Sequence, residues 1–507
     1  MHVFSTDDHL ASARVVLCLS RLPCSFLRSL FVTFHESIGA RSYDTPIDMP
    51  VEPHSTVVSR SPTLRADELE VEKLEGPATD APDDLAKKED VSVFEQTLTP
   101  PTAQTYSDFP DGGLQAWLQV AGSFFLIFGA WGNFNAFGAF QTYYEEQLLL
   151  GTSASAISWI GSIEGFMIMI VGVLVGPVFD MGYFTSLVAV GSFMIVFGLM
   201  MTSLATSYYQ VILAQGICLG MGSGLLFIPS VAIVATYFER KRALAVGISV
   251  CGSSVGGIIY PAIFRQLQPQ IGFAWTVRTM AFITLGLLSF SLAVMRTRTV
   301  PRTRRALLDL SAFTEVPYVL FCIGNFLSFM GAYVPFFYGP AYTQAHTGAS
   351  TSFAFYTIAI LNGASTLGRV VPNFIADKTG PLNILTPCAF LTAILAFCWI
   401  PVDAVGSMGV WCALYGLASG ALLSLAPAAI ASLTADVGRV GTRLGMAFGI
   451  AGVGLLIGTP VAGALVDLET GDFVRAQVFN GAIVLGAAFF MSLSRVAKAG
   501  WSLRVKV

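Results

Sequence analysis

One arginine, Arg369, lies within a long apolar stretch, between "STLG" and "VVPNF". A guanidinium group in hydrocarbon costs about 2.5 kcal/mol or more, so it normally faces a cavity or a polar partner. Its planar fork of donors fits a carboxylate. Asn362 precedes Arg369 by seven residues, which places both side chains on one face of a helix. The pattern predicts a binding site for an organic anion that Arg369 and Asn362 share.

A second ionisable residue, Glu164, follows "WIGSI" in another apolar stretch. Burial disfavours the charged form of a carboxyl group, so Glu164 is a candidate to bind a proton and couple transport to a proton gradient. Two alternatives remain open. Glu164 either forms hydrogen bonds that set helix packing, or it forms a salt bridge with Arg369 that accounts for both residues.

The composition indicates an all-α membrane protein with many spans. Hydrophobic residues make up 54% of the chain and charged residues 12%, whereas soluble domains carry about 25% charged residues. Apolar stretches of about 20 residues, long enough to cross a bilayer, recur along the chain. Twelve such spans are predicted: 115–138, 153–176, 184–205, 209–235, 243–264, 275–295, 313–338, 352–375, 382–401, 407–430, 443–466 and 476–497.

The longest connection between spans is the basic loop 297–312, which separates six spans (113–296) from six more (313–497). Alternate loops are rich in Lys and Arg, including Arg240 and Arg242, and the opposite loops are acidic. By the positive-inside rule both termini, the central loop and the tail 498–507 are expected in the cytoplasm. The protein is therefore expected to lie in a lipid bilayer as two halves.

The segment before the first span has two parts. Residues 49–112 are rich in Pro and acidic residues and are predicted to be a disordered acidic tail. Residues 1–48 carry three arginines and no acid between positions 10 and 34. They are interpreted as an extension of the gene model with true initiation at Met49, the alternative being an organelle-targeting segment.

Small residues recur on single helix faces in several spans. Gly220 and Gly224 lie four residues apart in the fourth span, and Gly252 and Gly256 do so in the fifth. Such faces let helices approach closely in lipid, so these glycines are predicted to pack helices. No motif for a metal, a nucleotide or a catalytic cluster occurs, so no cofactor, no nucleic acid and no enzymatic activity are expected.

Several motifs resemble a known family. They are "DGGLQAW" (111–117), "YFERKRALAVGISVCGSSVGGIIYPAIFRQL" (237–267), "LGRVVPNFIADKTGPLNIL" (367–385) and "GTRLGMAFGIAGVGLLIGTPVAGALVD" (441–467). They resemble the monocarboxylate transporter-like branch of the major facilitator superfamily, and the last two its fungal members. The resemblance covers about 111–500. It implies the major facilitator fold, in which two pseudo-symmetric six-helix bundles of twelve transmembrane helices surround a central cavity.

The resemblance also implies roles for single residues. Arg369 would contact the substrate anion, while Asn133, its neighbour Asn135, and Asn325 would line the cavity because the first and seventh helices border it. A gate motif would comprise Asp180, Asp377, Arg240 and Arg242. The chain departs from the family in three places, one of which is the absence of the usual basic residue of the gate motif after "DMGYF". The first span lacks the lysine of mammalian carriers, and Glu164 stands where fungal relatives commonly have a neutral residue.

The sequence therefore predicts a monomeric secondary-active transporter of the plasma membrane that carries a small, monocarboxylate-like anion, coupled to protons. One alternative is efflux of a fungal secondary metabolite, or uptake of a vitamin-type solute. From another class, a membrane nutrient sensor that does not transport remains open.

Overall fold

A computed structural model describes residues 112–238, 241–297, 308–436, 439–467, 470–502 and 505. The predictions for 1–48 and nearly all of 49–112, for Arg240 and for the side chain of Arg242 lie outside the described residues. Within those ranges the secondary structure is helical and contains no strand; a single isolated bridge joins Asp467 and Asp472.

Twelve helical segments follow one another along the described chain. The first three are α1 (Gly113–Asn135, Phe137–Tyr143 and the π-helical Tyr144–Leu148), α2 (Ala154–Asp180) and α3 (Phe184–Thr202). The next is α4, made of Tyr208–Val211, the π-helical Ile212–Leu219 and Gly220–Ala235. Arg242–Val294 contains α5 and α6, which meet at Gly272. The second half consists of α7 (Val316–Gly331 and Val334–His346), α8 (Thr351–Thr379), α9 (Pro381–Phe397), α10 (Val405–Leu433), α11 (Val440–Leu465) and α12 (Val474–Ala499).

Nine helices in the described ranges are long and apolar enough to cross a membrane. One of them lies within Arg242–Val294, whose 53 residues would extend about 80 Å if straight, more than twice the thickness of the hydrocarbon. It breaks at Gly272, where φ is 76°, so it forms two crossings. The other two crossings are α9, which has only 17 residues, and α8, whose apolar character is reduced by Arg369 and its charged last turn. The helices thus fit twelve crossings.

Two predicted spans end too early. The first was expected to end at 138 and the seventh at 338, but α1 continues to Leu148 and α7 to His346. Both extensions bury aromatic rings, such as Phe140 and Tyr342. Tertiary packing therefore prolongs these helices beyond their most apolar windows.

Glycines bring α5 against α1. A Cβ atom added to Gly252 would lie 2.2 Å from the carbonyl oxygen of Phe124, and one added to Gly256 would lie 2.7 Å from the Cα of Gly132. Only a residue without a side chain permits this backbone separation.

Replacing Gly252 by alanine is expected to destabilise the protein by about 1–3 kcal/mol, because the new methyl group would overlap a backbone oxygen that cannot rotate away. Thermal unfolding of the purified protein in detergent measures the loss. Gly247→Ala is the matched control on the same helix, since no atom lies within 4 Å of its added Cβ. Equal melting temperatures for the two variants would contradict the packing role of Gly252.

Other glycine contacts hold the remaining helices. Gly220 and Gly224 of α4 lie against the backbone of α2. Cβ atoms added to them would come within 2.9 Å of the backbone carbonyl oxygen of Glu164 and 2.8 Å of that of Met167. The spacing is tighter still between α8 and α10, where Cβ atoms added to Gly368 and Gly416 would lie 2.0 and 2.2 Å from carbonyl oxygens of the facing helix. Nothing in the sequence distinguishes these last two glycines from the small residues around them.

The two halves meet at the end of the helix array where α1 finishes, here called the Leu148 end; the opposite end, where α1 begins, is the Gly113 end. Beyond breaks at Ala136 and Ala332, the last parts of α1 and α7 press together: the Phe137 and Phe337 rings lie 4.9 Å apart. Between α2 and α11, Ser155 donates a hydrogen bond to the Pro460 carbonyl oxygen at 2.8 Å.

Candidate functional site

Arg369 lies on the face of α8 that turns away from the exposed residues Leu367, Val371 and Phe374. Its side chain is buried, with 9% of the residue exposed. Nε donates a hydrogen bond to the Ser365 hydroxyl at 3.3 Å, and Nη1 donates one to the Ser253 hydroxyl. Both partners are neutral. The guanidinium group therefore has two hydrogen-bond acceptors, and neither carries a negative charge.

Ser253 belongs to α5, so Arg369 joins the two halves. Asn362 does the same one level nearer the Leu148 end, where its Nδ2 donates to the Gly257 carbonyl oxygen of α5 at 3.3 Å. The Oδ1 atom of Asn362 is buried without a hydrogen-bond partner. Arg369 and Asn362 therefore lie on one face of α8, as their spacing predicts, and both contact α5.

The other asparagines take different positions. Asn133 bonds within its own helix, to the Gly129 carbonyl oxygen at 2.7 Å, and Asn325 reaches the Ala447 carbonyl oxygen of α11 at 3.5 Å. Asn135 instead donates to the backbone oxygen of Ser253 at 3.2 Å. Of the three, Asn135 is the one that contacts a residue bonded to Arg369.

Aromatic rings continue from Arg369 across the junction of the halves. Tyr333, at the break of α7, is close enough to Arg369 to interact with its charge. The ring of Phe134 lies 5.0 Å from Tyr333 and 5.6 Å from Trp131. The indole Nε1 of Trp131 is buried without a hydrogen-bond partner. Sequence reasoning missed this aromatic wall, because aromatic residues are common throughout the spans.

Glu164 does not pair with Arg369. It lies in α2 on the side that faces α4, where Gln215 approaches its carboxyl group. Arg369 contacts α5 instead. The alternative of a Glu164–Arg369 salt bridge is therefore wrong, because the two side chains point to different helices.

The acids of the expected gate motif lie at the Gly113 end. Asp180 is the last residue of α2, and Asp377 lies in the last turn of α8. The other members of the motif, Arg240 and the side chain of Arg242, lie outside the described residues.

A lateral cavity of about 370 Å³ lies between α3 and α4. Its lining is predominantly apolar and includes Phe197, Met201 and Leu213, all of them exposed on the surface of the helix array. The residues that line it carry no positive charge that could bind an anion. In the described ranges no group of three His, Cys, Asp or Glu side chains is placed to hold a metal ion.

Comparison with known proteins shows which family has this architecture. The sequence profile of the Major Facilitator Superfamily matches residues 120–417. The chain is 43% identical to the MFS-type transporter dbaD of Emericella nidulans, over 79% of this chain and 91% of that protein. It is 42% identical to the aspyridones efflux protein apdF of the same organism, over 78% and 80%, and 37% identical to the MFS transporter asaE of Aspergillus flavus, over 78% and 90%.

The helix count, the two halves that meet along α5 and α8, and these similarities agree. The protein is a multi-pass membrane transporter of small molecules and not an enzyme, and its chain belongs to the major facilitator superfamily.

Proposed function

We propose that the protein exports an organic anion across the membrane by alternating access, with Arg369 at the substrate site. The observation that carries the proposal is the buried guanidinium group held by two hydroxyls without an opposite charge. Such a group gains most from a ligand that brings a carboxylate or another planar anion. The aspyridones efflux protein, similar over most of its length, supports export rather than uptake of a monocarboxylate.

The aromatic wall refines the class of substrate. Tyr333 lies near the cation, the rings of Phe134 and Trp131 follow it, and the unpartnered indole N–H of Trp131 is one donor. Flat apolar bodies stack well on such rings. The proposed substrate is therefore an amphipathic anion with a planar apolar body, larger than lactate. We therefore propose that the chain shares its architecture and the position of the arginine with the monocarboxylate branch, and that its substrate is larger.

The remaining features of the carrier follow from the sequence. Alternate basic loops support a cytoplasmic location for the Gly113 end and for both termini. We propose the plasma membrane as the site, a monomer as the functional unit, and a proton gradient as the driving force.

Arg369→Ala is expected to reduce export of a planar aromatic acid at least about tenfold, because a charge-assisted bond contributes roughly 1.5–3 kcal/mol. The assay follows efflux of radiolabelled benzoate from preloaded yeast that lacks its own organic-acid carriers. Benzyl alcohol is the uncharged control probe. Arg369→Lys should retain part of the flux, since it keeps the charge and loses the planar fork.

Arg439→Ala provides the matched control, because that arginine is 53% exposed at the start of α11, far from α5 and α8 in sequence. Benzoate efflux that is equal in the Arg369→Ala variant and the unaltered chain would refute the site. If the unaltered chain exports neither benzoate nor a larger aromatic acid, the proposed class of substrate is refuted.

A further inference from the structure

One buried acid takes no part in the proposed substrate site. Glu164 is fully buried in the middle of α2, and neither of its carboxyl oxygens accepts a hydrogen bond. An ionised carboxylate without a partner in such a place is costly. Its position on the α4 side of α2 separates it from Arg369, which faces α5. The group that approaches the carboxyl is the neutral amide of Gln215, which brings no positive charge.

A polar pair leads to Glu164 from the neighbouring helices. Tyr144 of α1 donates a hydrogen bond to Oε1 of Gln215 of α4 at 2.6 Å, and both side chains are buried. The amide of Gln215 in turn faces the carboxyl group of Glu164. The next residue after Tyr144 is Glu145, which accepts a hydrogen bond from Gln141 at 2.9 Å near the Leu148 end. Tyr144 and Gln215 are thus the buried polar contact next to Glu164.

The backbone around this pair is unusual. Tyr144 begins the π-helical turn Tyr144–Leu148, and Gln215 lies within the π-helical segment Ile212–Leu219. π-Helical turns are rare and are frequent at functional sites. Two such turns therefore present the two polar side chains that stand next to the buried acid.

We propose that Glu164 is the proton-binding site of the carrier, served by Tyr144 and Gln215 and separate from the anion site at Arg369. This inference rests on the proposed function, because it assigns the coupling ion of that transport. A hydronium ion transfers its proton to one carboxylate oxygen, which gives a neutral carboxylic acid and a water molecule. In the ionised form, the Gln215 amide N–H is the nearest donor for the carboxylate, while Tyr144 holds the amide oxygen.

The groups that surround Glu164 do not compete with its carboxyl group for a proton. From α1 the facing ionisable group is Tyr144, and from α4 the facing group is the neutral Gln215. From α11, the neighbouring turn meets Leu455 and Gly452, which carry no charge. Among these neighbours in the described part of the chain, none supplies a cation to hold the carboxylate permanently ionised.

Contacts of the same turn connect this site to the junction of the halves. A Cβ added to the next residue, Gly165, would lie 2.5 Å from Leu455 of α11 and 2.7 Å from Phe134 of α1. The backbone of Glu164 itself lies against Gly220 of α4. A small shift of α2 on protonation would therefore be felt by the second half and by the aromatic wall.

The first test observes the proton directly. Infrared difference spectra of the purified full chain in phosphatidylcholine vesicles are recorded between about pH 5 and about pH 8. The unaltered chain should give the C=O band of a protonated carboxylic acid. Glu164→Gln should lose the part of this band that both Glu145→Gln and the exposed-acid control Glu146→Gln keep. An unchanged band in Glu164→Gln would overturn the proposal.

The second test uses benzoate transport in the same vesicles. Glu164→Gln should lower accumulation driven by a proton gradient about tenfold and leave benzoate exchange at equal pH intact, because exchange needs no net proton movement. Full gradient-driven accumulation in Glu164→Gln would overturn the proposal. If Glu164→Gln does not fold, Gln215→Leu replaces it: removal of the donor should let the carboxylic acid band persist to higher pH.

The two proposals fail in distinguishable ways. If Arg369 is not the substrate site, Arg369→Ala will leave benzoate flux unchanged while the infrared band of Glu164 remains. An error in the assignment of Glu164 would leave benzoate exchange sensitive to Arg369→Ala and remove only the predicted response to Glu164→Gln.

Discussion

Replacing Gly138 by alanine should shift the protein out of the conformation described here and strongly impair transport. Gly138 lies in the last part of α1, and an added Cβ would stand 2.2 Å from the Phe336 carbonyl oxygen of α7. The overlap would cross the junction of the halves, so the Leu148 end could no longer close as tightly. An overlap worth about 2 kcal/mol would change the ratio of closed to open forms roughly thirtyfold.

Accessibility of the Leu148 end measures this shift. A cysteine introduced at Ser155, which packs against Gly463 and Pro460 of α11, should react faster with a membrane-impermeant maleimide when Gly138→Ala is present. Gly339→Ala, on the facing part of α7, is the control because its added Cβ meets no atom within 4 Å. Equal reaction rates in all three proteins would mean that Gly138 does not limit closure.

Replacing Arg443 by alanine should produce the largest loss of stability at the Gly113 end. Its guanidinium group binds both carboxylate oxygens of Glu315 at 2.6 and 2.9 Å, and Oδ2 of Asp309 at 3.0 Å. The Arg443 side chain is 5% exposed, that of Asp309 11% and that of Glu315 44%, so removal leaves two like charges close together without the cation that both contact. We expect the melting temperature to fall by about 5 °C or more.

Arg439→Ala separates this network from ordinary surface pairs. Arg439 contacts Asp309 at 3.5 Å and Asp436 at 3.2 Å, but its side chain is 53% exposed. Pairs of exposed charges contribute little because water and salt screen them. The expected change in melting temperature is therefore within about 1 °C. A loss as large as that of Arg443→Ala would contradict the distinction.

The network also predicts how the Arg443→Ala effect depends on pH. Hydrogen bonds from Ser311 and then Arg443 lower the pKa of Asp309, and the hydrogen bond from Arg443 lowers the pKa of Glu315. Carboxyl groups with a lowered folded-state pKa stabilise the fold above their unfolded values, and this contribution is lost as the pH falls through the folded values. The gap in melting temperature between the unaltered chain and Arg443→Ala should therefore close below about pH 4. A constant gap down to that pH would exclude these carboxylates as its source.

Much of the fold follows from one-dimensional pattern. The spacing of apolar windows predicts the twelve helices, because a bilayer requires about 20 apolar residues for each crossing. Arg369 and Glu164 stand out for the same reason, since an ionisable residue among so many apolar ones is costly. The spacing of Gly252 and Gly256 likewise predicts one face of α5, and the structure places α1 there.

Tertiary structure alone decided which groups meet. In lipid both the outer and the inner face of a helix are apolar, so the hydrophobic pattern does not reveal which side turns toward a neighbour. The sequence therefore left a Glu164–Arg369 pair open, whereas the rotation of α2 directs Glu164 to Gln215 and that of α8 directs Arg369 to Ser253.

Close backbone contacts between segments far apart in sequence show the same limit. Gly416 and Gly368 lie among many small residues, and only the crossing of α8 and α10 makes them irreplaceable. The sequence by itself determined the kind of protein, the number of crossings and the residues that are costly to bury. The rotation and crossing of each helix, fixed by packing between distant segments, determined which of those residues form a site.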